Sequence, residues 1–192
     1  GTANLTGDYI CTNNTLTISG STATLSGTGT VAPAVLNLSG GSLGGSQQVT
    51  VLSQMNWTGG TMMGSGRTVI SPGATLTING GSVALTGGRI LDNGGTTIWN
   101  AGTMTAASLS VITNRPGALF LVQSSAAISP GLSGSRLDNA GMFRKTSAGT
   151  TTLNDLVSFN NYGAVELQSG TLSLTGGGLN NGTMDFSAGT TL

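Results

Sequence analysis

Histidine is missing from all 192 residues, which removes the usual general base near neutral pH and the commonest nitrogen ligand for a metal. Cysteine occurs once, at Cys11. No internal disulfide and no thiolate metal cluster can be built from it; a buried thiol or an intermolecular bridge are the two uses left. Charge is scarce and balanced, with six basic and six acidic residues. No net field therefore draws the chain to nucleic acid or to an anionic membrane. Aromatic residues make up only 4%. There is no run of about 18 apolar residues that would cross a membrane as a helix, and no basic-then-apolar opening of a secretory leader. No cofactor or metal motif is present, and an enzyme is not expected.

What the chain does have is glycine, 33 of them, and 37% hydrophobic residues set in short alternating runs. Low charge with high glycine could describe a disordered chain, but period-2 alternation describes half-buried strands. The organising phrase is small–Gly–small–apolar, as in Asn100-Ala101-Gly102-Thr103-Met104 and Asn161-Tyr162-Gly163-Ala164-Val165. Its glycines are Gly41, Gly60, Gly81, Gly102, Gly117, Gly141, Gly163 and Gly182, a step of about 20 residues. Two places after each stands an apolar residue: Leu43, Met62, Val83, Met104, Leu119, Phe143, Val165 and Met184. A repeat of that length has no room for helix and strand together. It predicts an all-β parallel β-helix, a β-solenoid with coils of about 20 residues and the apolar residues in one interior stack. Hairpins in a sandwich are the rival, but hairpins do not generate equal offsets at this step. One domain is expected, with residues 1–40 as irregular lead-in or capping coils around Tyr9-Ile10-Cys11, and 41–192 as regular coils. The chain opens without methionine and stops inside a repeat, which reads as a piece of a longer array.

A second column lies two residues before the glycines: Thr58, Asn79, Asn100, Arg115, Asn139, Asn161 and Asn180. Asparagine tolerates left-handed backbone and bonds local backbone groups, so the column reads as a corner. Stacked amides can also bond each other along the axis. A row of sugar-binding amides is the functional alternative. The steps around Gly117 are irregular, which indicates either a deletion followed by an insertion or a misplaced anchor.

Few residues could carry chemistry. Asp8, Asp92, Asp138, Asp155, Glu166 and Asp185 are the carboxylates. Arg144, Glu166 and Asp185 each stand three after an anchor glycine, which sets them in one outward row. Such a row is a surface charge ladder on the simplest reading and a polysaccharide-cleaving carboxylate pair on the sharper one. Trp57 and Trp99 share an offset two coils apart and either pack inside or form an aromatic strip for sugars. The residues that would face a ligand are therefore Trp57, Trp99, Glu166 and Asp185. Thr-x-Thr pairs such as Thr75/Thr77 and Thr103/Thr105 suggest an ice-binding array only if they recur at one offset, and they do not. Gly176-Gly177-Gly178 lacks the aspartate of a calcium-binding nonapeptide.

The segment from Phe159 through Leu174, followed by Gly178 through Leu192, resembles the repeats of large bacterial surface proteins: autotransporter passengers and filamentous haemagglutinin-type adhesins. The resemblance implies a right-handed parallel β-helix serving as an extracellular or cell-surface fibre, in a structural or adhesive role. It implies as partners further repeats of the same chain, head-to-tail copies, or surface glycans, and it supplies no catalytic residue. A carbohydrate-binding or carbohydrate-cleaving β-helix is the alternative function, and ice binding stands third.

Overall fold

The computed structural model describes residues 1–7, 10–131 and 134–192. Within them the chain forms strands and no helix. It opens with β1 (Thr2–Leu5). Long bent strands follow at β3 (Thr15–Leu25), β5 (Val35–Gly44), β7 (Gln54–Met62), β9 (Thr75–Leu85) and β11 (Thr96–Ala106). They alternate with short ones: β2 (Cys11–Thr12), β4 (Val31–Ala32), β6 (Val49–Val51), β8 (Arg67–Ile70), β10 (Ile90–Asn93) and β12 (Val111–Asn114). After β12 each long strand is divided, into β13 (Leu119–Val122) and β14 (Ala127–Pro130), β16 (Met142–Lys145) and β17 (Thr150–Leu153), and β19 (Ala164–Leu167) and β20 (Thr171–Leu174). β15 (Ser135–Asn139) and β18 (Val157–Asn161) lie between these pairs, and β21 (Thr183–Phe186) is last.

Each strand pairs in parallel with its equivalent in the coils before and after, giving a β-solenoid of about nine coils of roughly 21 residues. The hairpin rival is thereby excluded. Each coil has three faces. The first halves of the long strands make face 1 and the second halves face 2, with the pairing register slipping between them, as at Leu38/Ser39 and Trp99/Ala101. Small residues sit at that bend: Ser39-Gly40-Gly41, Thr58-Gly59-Gly60, Asn100-Ala101-Gly102. Gly60 and Gly102 have φ of 78° and 84°, a region that glycine enters without a Cβ penalty. The short strands make face 3. In later coils the bend opens into the loops 123–126 and 146–149, so the strand divides while the pairing continues. No break falls at residue 40, which lies inside β5. Of the predicted lead-in, Tyr9 lies outside the described residues, Ile10 is exposed, and Cys11 is buried with its thiol donating to Asn14 Oδ1 at 3.0 Å.

The interior is a set of columns. On face 1 one column runs Leu16, Leu36, Met55, Leu76, Thr97, Phe120, Phe143, Val165 and Met184. Phe120 and Phe143 stack with centroids 5.5 Å apart, and Phe159 from face 3 meets Phe143 edge-on. Full burial of side chains of this size contributes roughly 1.5–3 kcal/mol each, so the columns supply the main driving force.

The predicted single stack is corrected here. Leu43, Met62, Val83, Met104, Phe143 and Val165 are all buried and Met184 packs against the core, but they belong to different columns. Leu43 and Met62 are paired on face 2, Val83 and Met104 form another face 2 column, and Phe143, Val165 and Met184 lie on face 1. Leu119 faces outward and is only half-buried. The anchor glycines had mixed two corners: those through Gly102 sit between faces 1 and 2, and those from Gly117 between faces 3 and 1. The short step to Gly117 is the crossing from one corner to the other, so it was a misplaced anchor.

The asparagine column divides the same way. Asn79 and Asn100 are exposed at the first corner. The ladder is built by Asn93, Asn114, Asn139, Asn161 and Asn180 at the end of face 3. From Asn93 to Asn161, each Nδ2 donates to the Oδ1 of the next at 2.7–2.8 Å. Each also donates to a backbone carbonyl of the next coil, such as Met142 or Ala164, at 2.9–3.0 Å. A Cβ at Gly163 would collide with the Gly141 carbonyl below it, so glycine follows the asparagine here for close approach.

Two substitutions test the columns in opposite directions. Asn139→Ala deprives Asn114 of an acceptor, leaves Asn161 Oδ1 without its donor and removes the amide bond to the Ala164 carbonyl. At about 1–3 kcal/mol per orphaned group, it should cost roughly 2–4 kcal/mol in denaturant unfolding. Thr97 Oγ1 is buried in the face 1 column with no partner. Thr97→Val keeps the shape and removes the desolvated hydroxyl, and should stabilise by about 1 kcal/mol.

Candidate functional site

Face 1 carries the predicted charged row. Pairing of β16, β19 and β21 sets Arg144 beside Glu166 and Glu166 beside Asp185. All three alternate with the interior residues Phe143, Val165 and Met184, so the strand period sends them outward. Arg144 Nε donates to Glu166 Oε2 at 2.6 Å, and Gln168 Nε2 donates to the same oxygen at 3.1 Å. These donors hold the Glu166 carboxyl below its ordinary range, the arginine contributing most. A carboxylate with two donors and a depressed pKa is a poor proton donor at neutral pH, whereas glycoside cleavage needs one carboxyl held protonated.

Trp57 and Trp99 share one interior column with Ile78 between them. Both are fully buried, and Trp99 Nε1 donates to the Gly102 carbonyl at 3.1 Å. Neither presents a ring face to a sugar, because their strand positions alternate with the exposed ones; packing is the reading the geometry supports. The threonines do not line up either: Thr75 pairs with Gln54 and Thr96, and Thr77 with Asn56 and Ile98.

Three polar arrangements were not read from the sequence. On face 3, Asp92 is buried beneath two arginines. Arg115 Nε donates to its Oδ1 at 2.7 Å, and Arg67 pairs with its Oδ2. The Asp92 hydrogen bond raises the Arg115 pKa. Further along, Asp138 accepts from Arg136 at 2.7 Å and Asn160 at 2.8 Å. Two cations lie inside without a carboxylate. Arg89 is fully buried, its guanidinium filling the hollow left by the missing side chain of Gly66. It donates to Thr68 Oγ1 at 3.1 Å and to the Met63 carbonyl at 3.2 Å, and desolvation lowers its pKa to about 10. Lys145 stands in the column between Val122 and Leu167 and reaches Ser147 Oγ at 2.7 Å in the opened bend; burial lowers its pKa. The Asp92, Arg89 and Asp138–Asn160 contacts join residues about 21–26 apart, which only the pairing register places side by side.

Among the described residues no three His, Cys, Asp or Glu side chains group as a metal site, and no helix is long and apolar enough to cross a membrane. Comparison with protein-family models, with curated proteins and with solved structures returned no match.

The Arg144–Glu166 pair gives a pH prediction. Because the folded pKa of Glu166 lies below the unfolded value, its contribution is present above the unfolded pKa and lost as pH falls through the folded one. The pair is partly exposed, so its worth is at most about 1 kcal/mol. Glu166→Gln should lower stability by that small amount at pH 7. The difference from the parent should vanish in unfolding curves run below the ordinary glutamate range.

Proposed function

We propose that the chain is a rigid β-solenoid segment of a secreted bacterial surface or fibre protein, with a structural or adhesive role. The observation that carries this reading is the uninterrupted parallel stack of about nine coils, with apolar columns and the asparagine ladder running along its axis. A stack of coils that each contact only their neighbours is a stiff rod, and on this reading its role is to extend. Phe186 is 45% exposed and Leu179 56%; apolar side chains beside a parallel strand edge suit the next copy of the chain, head to tail, or a further repeat of the same kind. Surface glycans are the ligands an adhesive rod would meet. The resemblance of 159–192 to adhesin repeats supports the extracellular setting.

A carbohydrate-directed β-helix is the second reading, favoured only by the Arg144–Glu166–Asp185 row. Two measurements separate the readings. Negative-stain images should show particles longer than the roughly 40–45 Å that nine coils span at the strand spacing, and Phe186→Lys should shorten them to single units. Monodisperse short particles, with slow amide exchange across Thr183–Phe186, would refute end-to-end extension. A glycan screen with turnover should detect retention without product; released oligosaccharide would make the carbohydrate-cleaving reading the correct one.

A further inference from the structure

Strands send alternate residues outward, so each face of the solenoid shows surface rows of its own. On face 2 one such row runs Thr22, Ser42, Thr61, Ala84, Thr105 and Ser129, all small and mostly hydroxylated. On face 3 the outward Val69 stands beside Asp92 and is buried. Face 1 differs at its middle. Its outward positions there are Thr96 and Ile98 on β11, Leu119 and Leu121 on β13, and Met142 and Arg144 on β16. Leu121 follows Ile98 up one row and Met142 follows Leu119 up the other, so four aliphatic side chains adjoin. All four are half-buried. Every described strand belongs to a coil, and none crosses over this patch. Single apolar residues on a surface are ordinary, but a contiguous group on one face marks a contact.

The patch divides face 1 into unlike halves. Above it the outward rows carry Arg144, Glu166 and Asp185. Below it they carry Thr77, Thr75, Asn56 and Gln54, with no charge. A second copy can be laid on this face by either of two two-folds. One runs along the coil axis and sets each coil against its own equivalent. It brings two rows of the same net negative charge together in a contact that excludes water, which is unfavourable. The other runs along β13 and inverts the order of the coils. Each charged half then covers the uncharged half of the other copy.

We propose that face 1 is a side-by-side contact between two copies of the chain, related by a two-fold axis along β13. Leu119 meets Leu119 and Leu121 meets Leu121 of the other copy. One coil up, Met142 lies over Thr96 and Arg144 over Ile98; the next coils set Glu166 over Thr77 and Asp185 over Asn56. The pairing is reciprocal, as a two-fold contact requires. The charges agree with it. Arg144 is already bound to Glu166 at 2.6 Å, so its aliphatic stem can cover Ile98 while its charge stays paired. Asn56 Nδ2 donates one N–H to Asn37 Oδ1 at 2.8 Å and has a second for Asp185. The strands from β7 to β21 overlap in this arrangement. At about 4.8 Å per strand and 3.3 Å per residue the footprint is roughly 430 Å² on each copy, which makes the dimer a weak and reversible one. The contact lies on the flank of the coil stack, so it is separate from the end-to-end extension proposed above.

The test uses Phe186→Lys as parent, to suppress contact through the ends, and sedimentation velocity over a concentration series. The parent should show a concentration-dependent dimer. Leu121→Glu sets like charges against each other across the axis and should weaken dimerisation about tenfold or more, while the melting temperature holds. Thr77→Lys, opposite Glu166 of the other copy, should tighten the dimer about threefold, and Thr77→Glu should loosen it by a similar factor. Both shifts should disappear when Glu166→Gln is added. Within one chain Thr77 and Glu166 are separated by the steps β9, β11, β13, β16 and β19, about 19 Å, which salt screens; the coupling therefore reads the contact between copies. A parent that stays monomeric at every concentration, a Leu121→Glu variant that dimerises like the parent, or Thr77 variants that shift the equilibrium the same way would overturn the proposal. Each of these results leaves the rod reading to its own test.

Discussion

In a parallel, in-register stack every residue has the same two axial neighbours, the residues one coil below and one coil above, about 4.8 Å away. The rest of this structure follows from that constraint. A side chain suits its position only if it suits the column, so apolar columns stay apolar over many coils. The asparagine ladder shows the polar case. A single buried amide would leave donors and an acceptor unsatisfied, at about 1–3 kcal/mol each; a run of amides satisfies each member with the next. The column therefore changes character in one step, from Val51 and Ile70 to Asn93. At that step Asn93 Oδ1 accepts from the Gly95 N–H at 3.3 Å, closing the ladder's lower end.

Exceptions inside the columns are tolerated where a neighbouring coil makes room. Arg89 lies in the core because Gly66 vacates the space beneath it and backbone carbonyls accept from its guanidinium. Lys145 lies in a column because the adjoining bend has opened into residues 146–149, where Ser147 accepts from its ammonium. Both cations are held at a desolvation cost, visible as lowered pKa values. In each case the neighbour's shape decides whether the charge can be accommodated.

The sequence made the architecture legible because a coil is a period, and periods survive in composition. Glycine spacing, apolar alternation and the asparagines were enough for a parallel solenoid with an outward Arg144–Glu166–Asp185 row. The register was not legible in the same way. Two corners use the same small–Gly–small–apolar wording, since both need small residues at a bend and an inward residue after it. Gly102 and Gly117 therefore read alike, although one opens face 2 and the other opens face 1. The Arg67–Asp92–Arg115 cluster was invisible for a related reason: these residues meet only once the pairing of β8, β10 and β12 is known.

Stacking fixes the interior so tightly that a residue's other roles must be sought where stacking does not decide. The turns are such places. The same turn holds Gly87-Gly88 in one coil and Ser108-Leu109 in the next, with φ within about 20° throughout, so the backbone shape is given and only the side chains vary. Choosing leucine over glycine there costs on the order of 1–2 kcal/mol, which is large against total stabilities of roughly 5–15 kcal/mol. An exposed leucine returns little of that through burial. A solenoid thus supplies its own control: the neighbouring coil shows what the fold requires at a position, and the departure from it measures what the fold does not.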